Sequence, residues 1–167
     1  MNSLNTIRTI VAGSNNTLAI ATQELPTALV NQPQLGNANT IGAIYAHTLL
    51  TLDHFYQTAM QNKVQVLTTA DFAARLGLAD PDQLPWATLN ALSWDWDALQ
   101  AYGQAVLAAV DAYLATLTDA ELAHPRQIFG QDTTIAEAIG VATWHTALHA
   151  GEIAALKGVN TLKGLPF

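Results

Sequence analysis

Apolar residues recur near a 3.6-residue spacing in four separate stretches, which restricts the chain to helices buried against helices. The first stretch runs from about Ser3 to Leu25 on Leu4, Ile7, Ile10, Val11, Leu18, Ile20 and Ala21, with Pro26 beyond its end. Within it, Gly13-Ser14-Asn15-Asn16 is expected to kink the helix or split it in two. After a polar connector at 31–37, the second stretch starts at Asn39 or Thr40, either able to cap a helix, and continues to about Gln61. Ile41, Ile44, Tyr45, His47, Thr48, Thr51, Leu52, His54 and Phe55 form its broad inward stripe. The third begins at Ser93 or Asp95 and reads through Leu99, Tyr102, Val106, Val110, Tyr113 and Leu117. Asp95 and Asp97 lie in its first turn, where the positive helix end favours them. The fourth follows a turn at Gln131–Thr134, with Asp132 or Thr133 as cap, and carries Ile135, Ile139, Ala142, His145, His149, Ile153 and Leu156 along one side. Between the second and third, Lys63–Trp94 is the least helical part. It contains a short helix over Thr69–Leu76 that ends at Gly77, and a turn at Asp80–Pro85. A crossover of that length lets consecutive long helices run in the same direction.

A chain of 167 residues is long enough to bury one core without staples, and a single domain over 1–167 is expected. Charged residues make up only 11% of it, against roughly a quarter in an average soluble domain, so part of the surface is expected to be covered by an oligomer. The net charge of −7, with six scattered Lys and Arg, argues against a nucleic-acid partner and against anionic membranes. No apolar run reaches about 18 residues and the start lacks a signal-peptide pattern, which gives the cytoplasm as the expected compartment. Without cysteine there are neither disulfides nor thiolate ligands, and any nucleophilic sulfur must come from outside.

The residues that bear chemistry are histidines. His145 and His149 are four apart on the fourth helix, about 6 Å along its axis, so both rings can address one ion. Two imidazoles buried one turn apart are costly unless each nitrogen has a partner, and a shared metal satisfies both. His47 on the second helix is a third candidate, although a lone histidine on an apolar face is more often a hydrogen-bonded core residue than a ligand. Three neutral imidazoles with open coordination positions describe a catalytic rather than a closed structural site. Glu121-Leu122-Ala123-His124 has the Glu-x-x-His spacing of di-metal bundles. It occurs once, directly before Pro125, and reads as an exposed segment.

Thr40-Ile41-Gly42-Ala43-Ile44-Tyr45-Ala46-His47, followed about a hundred residues later by His145-x-x-x-His149-x-Gly151-x-Ile153 and Leu156-Lys157-Gly158, resembles the DinB-like (DinB/YfiT) superfamily of metal-dependent enzymes. The resemblance spans the chain. It implies an all-α four-helix bundle with a long crossover between the second and third long helices, a homodimer, and a divalent ion (zinc, nickel, iron or manganese) held by His47, His145 and His149. Glu152 stands where many members have glutamine, which leaves its role open. Relatives of known activity are thiol transferases and isomerases using low-molecular-weight thiols such as bacillithiol or mycothiol.

A cation with open positions deprotonates a bound thiol at neutral pH, and the thiolate can attack an electrophilic small-molecule substrate. Water in the same position would give a hydrolase, and binding without turnover a metal- or ligand-binding bundle. Around the site, three roles are open to Glu152, which can accept a hydrogen bond from a ligand imidazole, act as a base or face solvent. His54, about 10 Å beyond His47 along the helix and too distant to share the ion, is read more often as packing or surface than as pocket lining. Tyr45 is a candidate proton donor, and Trp144, turned about 100° from His145, is expected to serve packing. A thiol with an acidic head group would need one of the few basic side chains nearby.

Overall fold

The computed structural model describes residues 3–78, 84–128 and 130–166. The long helices are α1 (Ser3–Thr22), α3 (Ile41–Asp53), α7 (Trp96–Thr116) and α8 (Ile135–Val159), with short helices α2 (Thr27–Val30), α4 (Val66–Thr69), α5 (Phe72–Arg75) and α6 (Trp86–Ala91) between them. A two-stranded antiparallel hairpin, β1 (Pro125–Ile128) and β2 (Gln131–Thr134), leads into α8. The chain is therefore all-α in class, with one small hairpin as the strand content of the described residues.

Local chemistry sets the helix starts. The Thr40 side chain accepts from Ala43 N–H at the head of α3, and Asp95 from Ala98 N–H at the head of α7. Two expected boundaries are corrected. The cap of α8 is Thr134, in a reciprocal box with Glu137, rather than Asp132 or Thr133, because the strand that follows the turn at Gly130, φ 74°, stays extended through Thr134 and the helix starts only at Ile135. Nor does Gly13-Ser14-Asn15-Asn16 interrupt α1, which is continuous. Ser14 Oγ donates to the carbonyl of Thr143 at 2.9 Å, so a polar residue that reads as a breaker is used as a tie to α8.

The long helices share one apolar core that includes Leu18, Ile44, Leu49, Leu99, Val110 and Ile139. α1 lies along α8, and α3 packs on both α7 and α8. Tyr45 meets Trp96 and Tyr56 meets Tyr113, so α3 and its continuation run parallel to α7, as the crossover allows. Close approach there depends on glycine. A Cβ on Gly42 would sit 2.6 Å from Trp94 Cδ1, and one on Gly103 would strike the Tyr45 hydroxyl. The crossover is anchored by Asp53, whose fully buried carboxylate accepts from the backbone N–H of Val66 and Leu67 (both 2.9 Å) and from the Tyr102 hydroxyl (2.8 Å). Burial raises its pKa against the pull of those three donors.

Within the crossover, the expected helix over Thr69–Leu76 is shortened to α5, which starts after Asp71 with φ of 57° and stops before Gly77 with φ of 69° as the glycine suggests, while α4 precedes it and ends at Thr69. Most of the expected turn at Asp80–Pro85 lies outside the described residues. α6 was not legible in the periodicity. After Asp53 the second long helix widens into a π-helical segment, His54–Ala59, before closing at Gln61. Such segments are rare and concentrate at functional sites.

Candidate metal centre

Each histidine is held by a different local logic. His145 and His149 project from one face of α8 beside the buried Ala142, Thr146 and Ile153. His47 comes from the middle of α3, whose neighbours Ile44, Ala46 and Thr48 are buried. All three rings are half-buried, and their ligand atoms lie within 4.8 Å of one another. Nε2 of His47 and Nε2 of His145 are 3.1 Å apart. Two nitrogens bonded to a common ion at about 2.0–2.1 Å are separated by roughly 2.9–3.4 Å for angles between octahedral and tetrahedral, so this pair already has the spacing of coordinated ligands.

The donor set suits a cation in two further respects. Burial, reinforced by the neighbouring His149, lowers His47 to about 4. Burial, then His149 and His47, lowers His145 to about 4, so both rings are neutral near pH 7 and each keeps a lone pair. Nδ1 of His145 is buried with no hydrogen-bond partner among the described residues. His149 is oriented by a carboxylate: its Nδ1 lies 2.9 Å from Glu152 Oε2. A carboxylate accepts, so this contact places a proton on Nδ1, and in a neutral ring Nε2 is then the nitrogen with a free lone pair.

Trp86, at the start of α6, lies over the group, 4.4 Å between ring centroids from His47 and 6.0 Å from His149. Periodicity gave no reason to single it out. The one local signal is Pro85 immediately before it, the fixed-φ residue that opens α6. A cleft of about 740 Å³ opens from His47 and is lined by Leu50, Thr51, His54, Thr58, Asn62, Lys63, Val64, Gln65, Thr68, Leu84 and Leu89. His54 is thus in the cleft with His47. Tyr45 is not: two residues from His47 it points to the far side of α3, where it packs on Trp96 and Gly103, and burial pushes its phenol up to about 12. Trp144 is also displaced from expectation. Its side chain is 54% exposed, beside a groove between α1 and α8.

The sequence pattern of the DinB superfamily matches residues 12–153, a span that includes all three histidines and Glu152. The chain belongs to the DinB superfamily. Comparison with curated proteins gives no significant match. Among solved structures the fold is similar to that of a conserved protein from Enterococcus faecalis, at a TM-score of 0.80 and 13% identity, covering 94% of this chain and 96% of the other. At that identity the likeness concerns the fold. Among the described residues no helix is long and apolar enough to cross a membrane.

Proposed function

We propose that this DinB-superfamily chain holds a divalent metal ion on His47, His145 and His149 and transfers an external low-molecular-weight thiol to an electrophilic small molecule. The observation that carries the reading is the convergence of three imidazoles beside an open cleft in a chain that has no cysteine of its own. When bound, the ion supplies acidity, lowering the pKa of a thiol so that a nucleophilic sulfur exists at neutral pH.

The chain's own contribution is orientation and shape. Glu152 orients the His149 ring through Nδ1, and the three rings offer ligand atoms within 4.8 Å of one another. Trp86 covers two of the rings, and the cleft offers room for a second reactant next to His47. Zinc, nickel, iron and manganese are the candidate ions, since imidazole donors alone do not choose among them. Small thiols are kept reduced in the cytoplasm, which is the compartment this reading assigns.

A second copy of the chain is the partner we propose for the groove between α1 and α8. Ile10, Trp144 and Leu148 stand 57%, 54% and 61% exposed there or close by, and among the described residues no charged one lines the groove. An apolar face of that kind on a chain this poor in charge supports a homodimer.

The test of activity is turnover of a panel of epoxides and alkyl halides by protein of measured metal content. Expected is a product whose formation needs both thiol and metal, and which is lost in His149→Ala while the circular dichroism spectrum is retained. Turnover that needs metal but no thiol would make the protein a hydrolase. Stoichiometric metal without turnover across the panel would make it a binding bundle.

A further inference from the structure

The cleft beside His47 differs in charge from the rest of the molecule. The chain has 13 Asp and Glu against six Lys and Arg, yet among the described residues no carboxylate lines the cleft and Lys63 does. The other basic residues with described partners are committed elsewhere. Arg8 donates to the carbonyl of Leu114, Arg126 to that of Met60 and Lys157 to that of Gln23, while the Arg75 guanidinium sits over the Phe72 ring. Lys63 is held in place at three points. Its backbone N–H donates to Gln57 O at 2.8 Å, its Nζ donates to Gln61 Oε1 at 2.7 Å, and the preceding Asn62 takes a left-handed φ of 54°. An ammonium satisfied on one side by a neutral amide keeps its charge and its remaining donors for an incoming group.

The backbone around Lys63 is unusual where the cleft needs it to be. The π-helical segment begins at His54 and contains Thr58, and both line the cleft. Left-handed backbone at a non-glycine residue and π-helical turns are tolerated where surrounding structure fixes them, and both gather at ligand sites. The amides of Asn62 and Gln65 also line the cleft, and Gln65, whose Nε2 lies 3.5 Å from His54 Nδ1, has a second N–H on the same nitrogen to donate.

We propose that this cleft selects a carboxylate-bearing ligand, whose acidic group is bound at Lys63 with the amides of Asn62 and Gln65 while its other end lies at the histidines. The inference deepens, and rests on, the thiol-transfer reading above, because it names the charge class of the thiol. His47 and His54 are separated by about 10 Å along the helix, and Lys63 lies in the wall beyond, so the ligand must be the size of a small peptide rather than a two-carbon thiol.

The probes are glutathione, its diethyl ester and cysteamine, titrated into the cobalt-loaded protein and followed by the thiolate-to-cobalt charge-transfer band. Because Lys63 is exposed to water, its ion pair is of modest strength, and glutathione should bind about three- to fivefold more tightly than the diester. Lys63→Gln should abolish that preference and Lys63→Arg should keep it. Equal affinity for acid and ester in the native chain, or a preference that survives in Lys63→Gln, overturns the proposal. No band with any of the three thiols would instead overturn the thiol reading itself, a result distinct from a band without charge preference.

Discussion

Replacing Glu152 by alanine removes the acceptor of the His149 Nδ1–H and leaves all three candidate ligands in place. The contact is 2.9 Å long, but the Glu152 side chain is 39% exposed against 16% for His149, so water can take over part of the carboxylate's role. The loss therefore belongs at the lower end of the range seen when hydrogen-bond partners of ligand histidines are removed. Metal affinity should weaken about tenfold, or about 1.4 kcal/mol. Glu152→Gln keeps a neutral acceptor in the same place, and should cost about threefold, because the charge-assisted part of the bond is lost and its geometry is kept. Competition for zinc against a chromophoric chelator near neutral pH reads both values. The expected order is native, then Glu152→Gln, then Glu152→Ala, with His149→Ala weakest. An alanine variant that binds zinc within twofold of the native chain would refute the reasoning, leaving the carboxylate as an ordinary surface neighbour of His149.

Acid should destabilise the metal-free protein in a defined window. His47 and His145 are each lowered from 6.5 to about 4 in the folded chain. Between those values the unfolded chain binds protons that the folded chain refuses, so their contribution is complete above pH 6.5 and lost as pH falls toward 4. Because the rings are only half-buried, the discounted effect is on the order of 1 kcal/mol for each. Urea unfolding from pH 7 to 4 should show a shallower decline in the His47→Ala, His145→Ala double variant, and identical slopes would contradict the account. Trp144→Glu places a charge on the exposed face of α8 without touching the core, and light scattering should find the native chain dimeric and the variant monomeric. A native chain that stays monomeric at high concentration removes the proposed interface.

The helices were legible where local rules act alone. Thr40 and Asp95 cap as their side chains allow, and the second, third and fourth long helices occupy the stretches that periodicity marks. Misreadings occurred where a distant segment changed the meaning of a local signal. Ser14 looks like a breaker until Thr143 offers its carbonyl, and Asp132 looks like a cap until β1 pairs with it. Among site residues, the His145 and His149 spacing is readable because both belong to one helix, whereas Trp86 and Lys63 lie in the crossover, whose periodicity is weak.

What the sequence by itself determined is what a helix's own repeat determines: the four long helices, two of their caps, and two imidazoles a turn apart on a single face. Only the tertiary structure decided that His47 lies against that pair, that Tyr45 turns away from it, and that Trp86 and Lys63 border the same space. It also decided why Gly42 and Gly103, unremarkable in a helical pattern, are the points where α3 meets Trp94 and α7. The reason is that side-chain spacing within a helix follows from hydrogen bonds closed four residues apart. Contacts across 40 to 100 residues exist only after packing has chosen which helical faces meet.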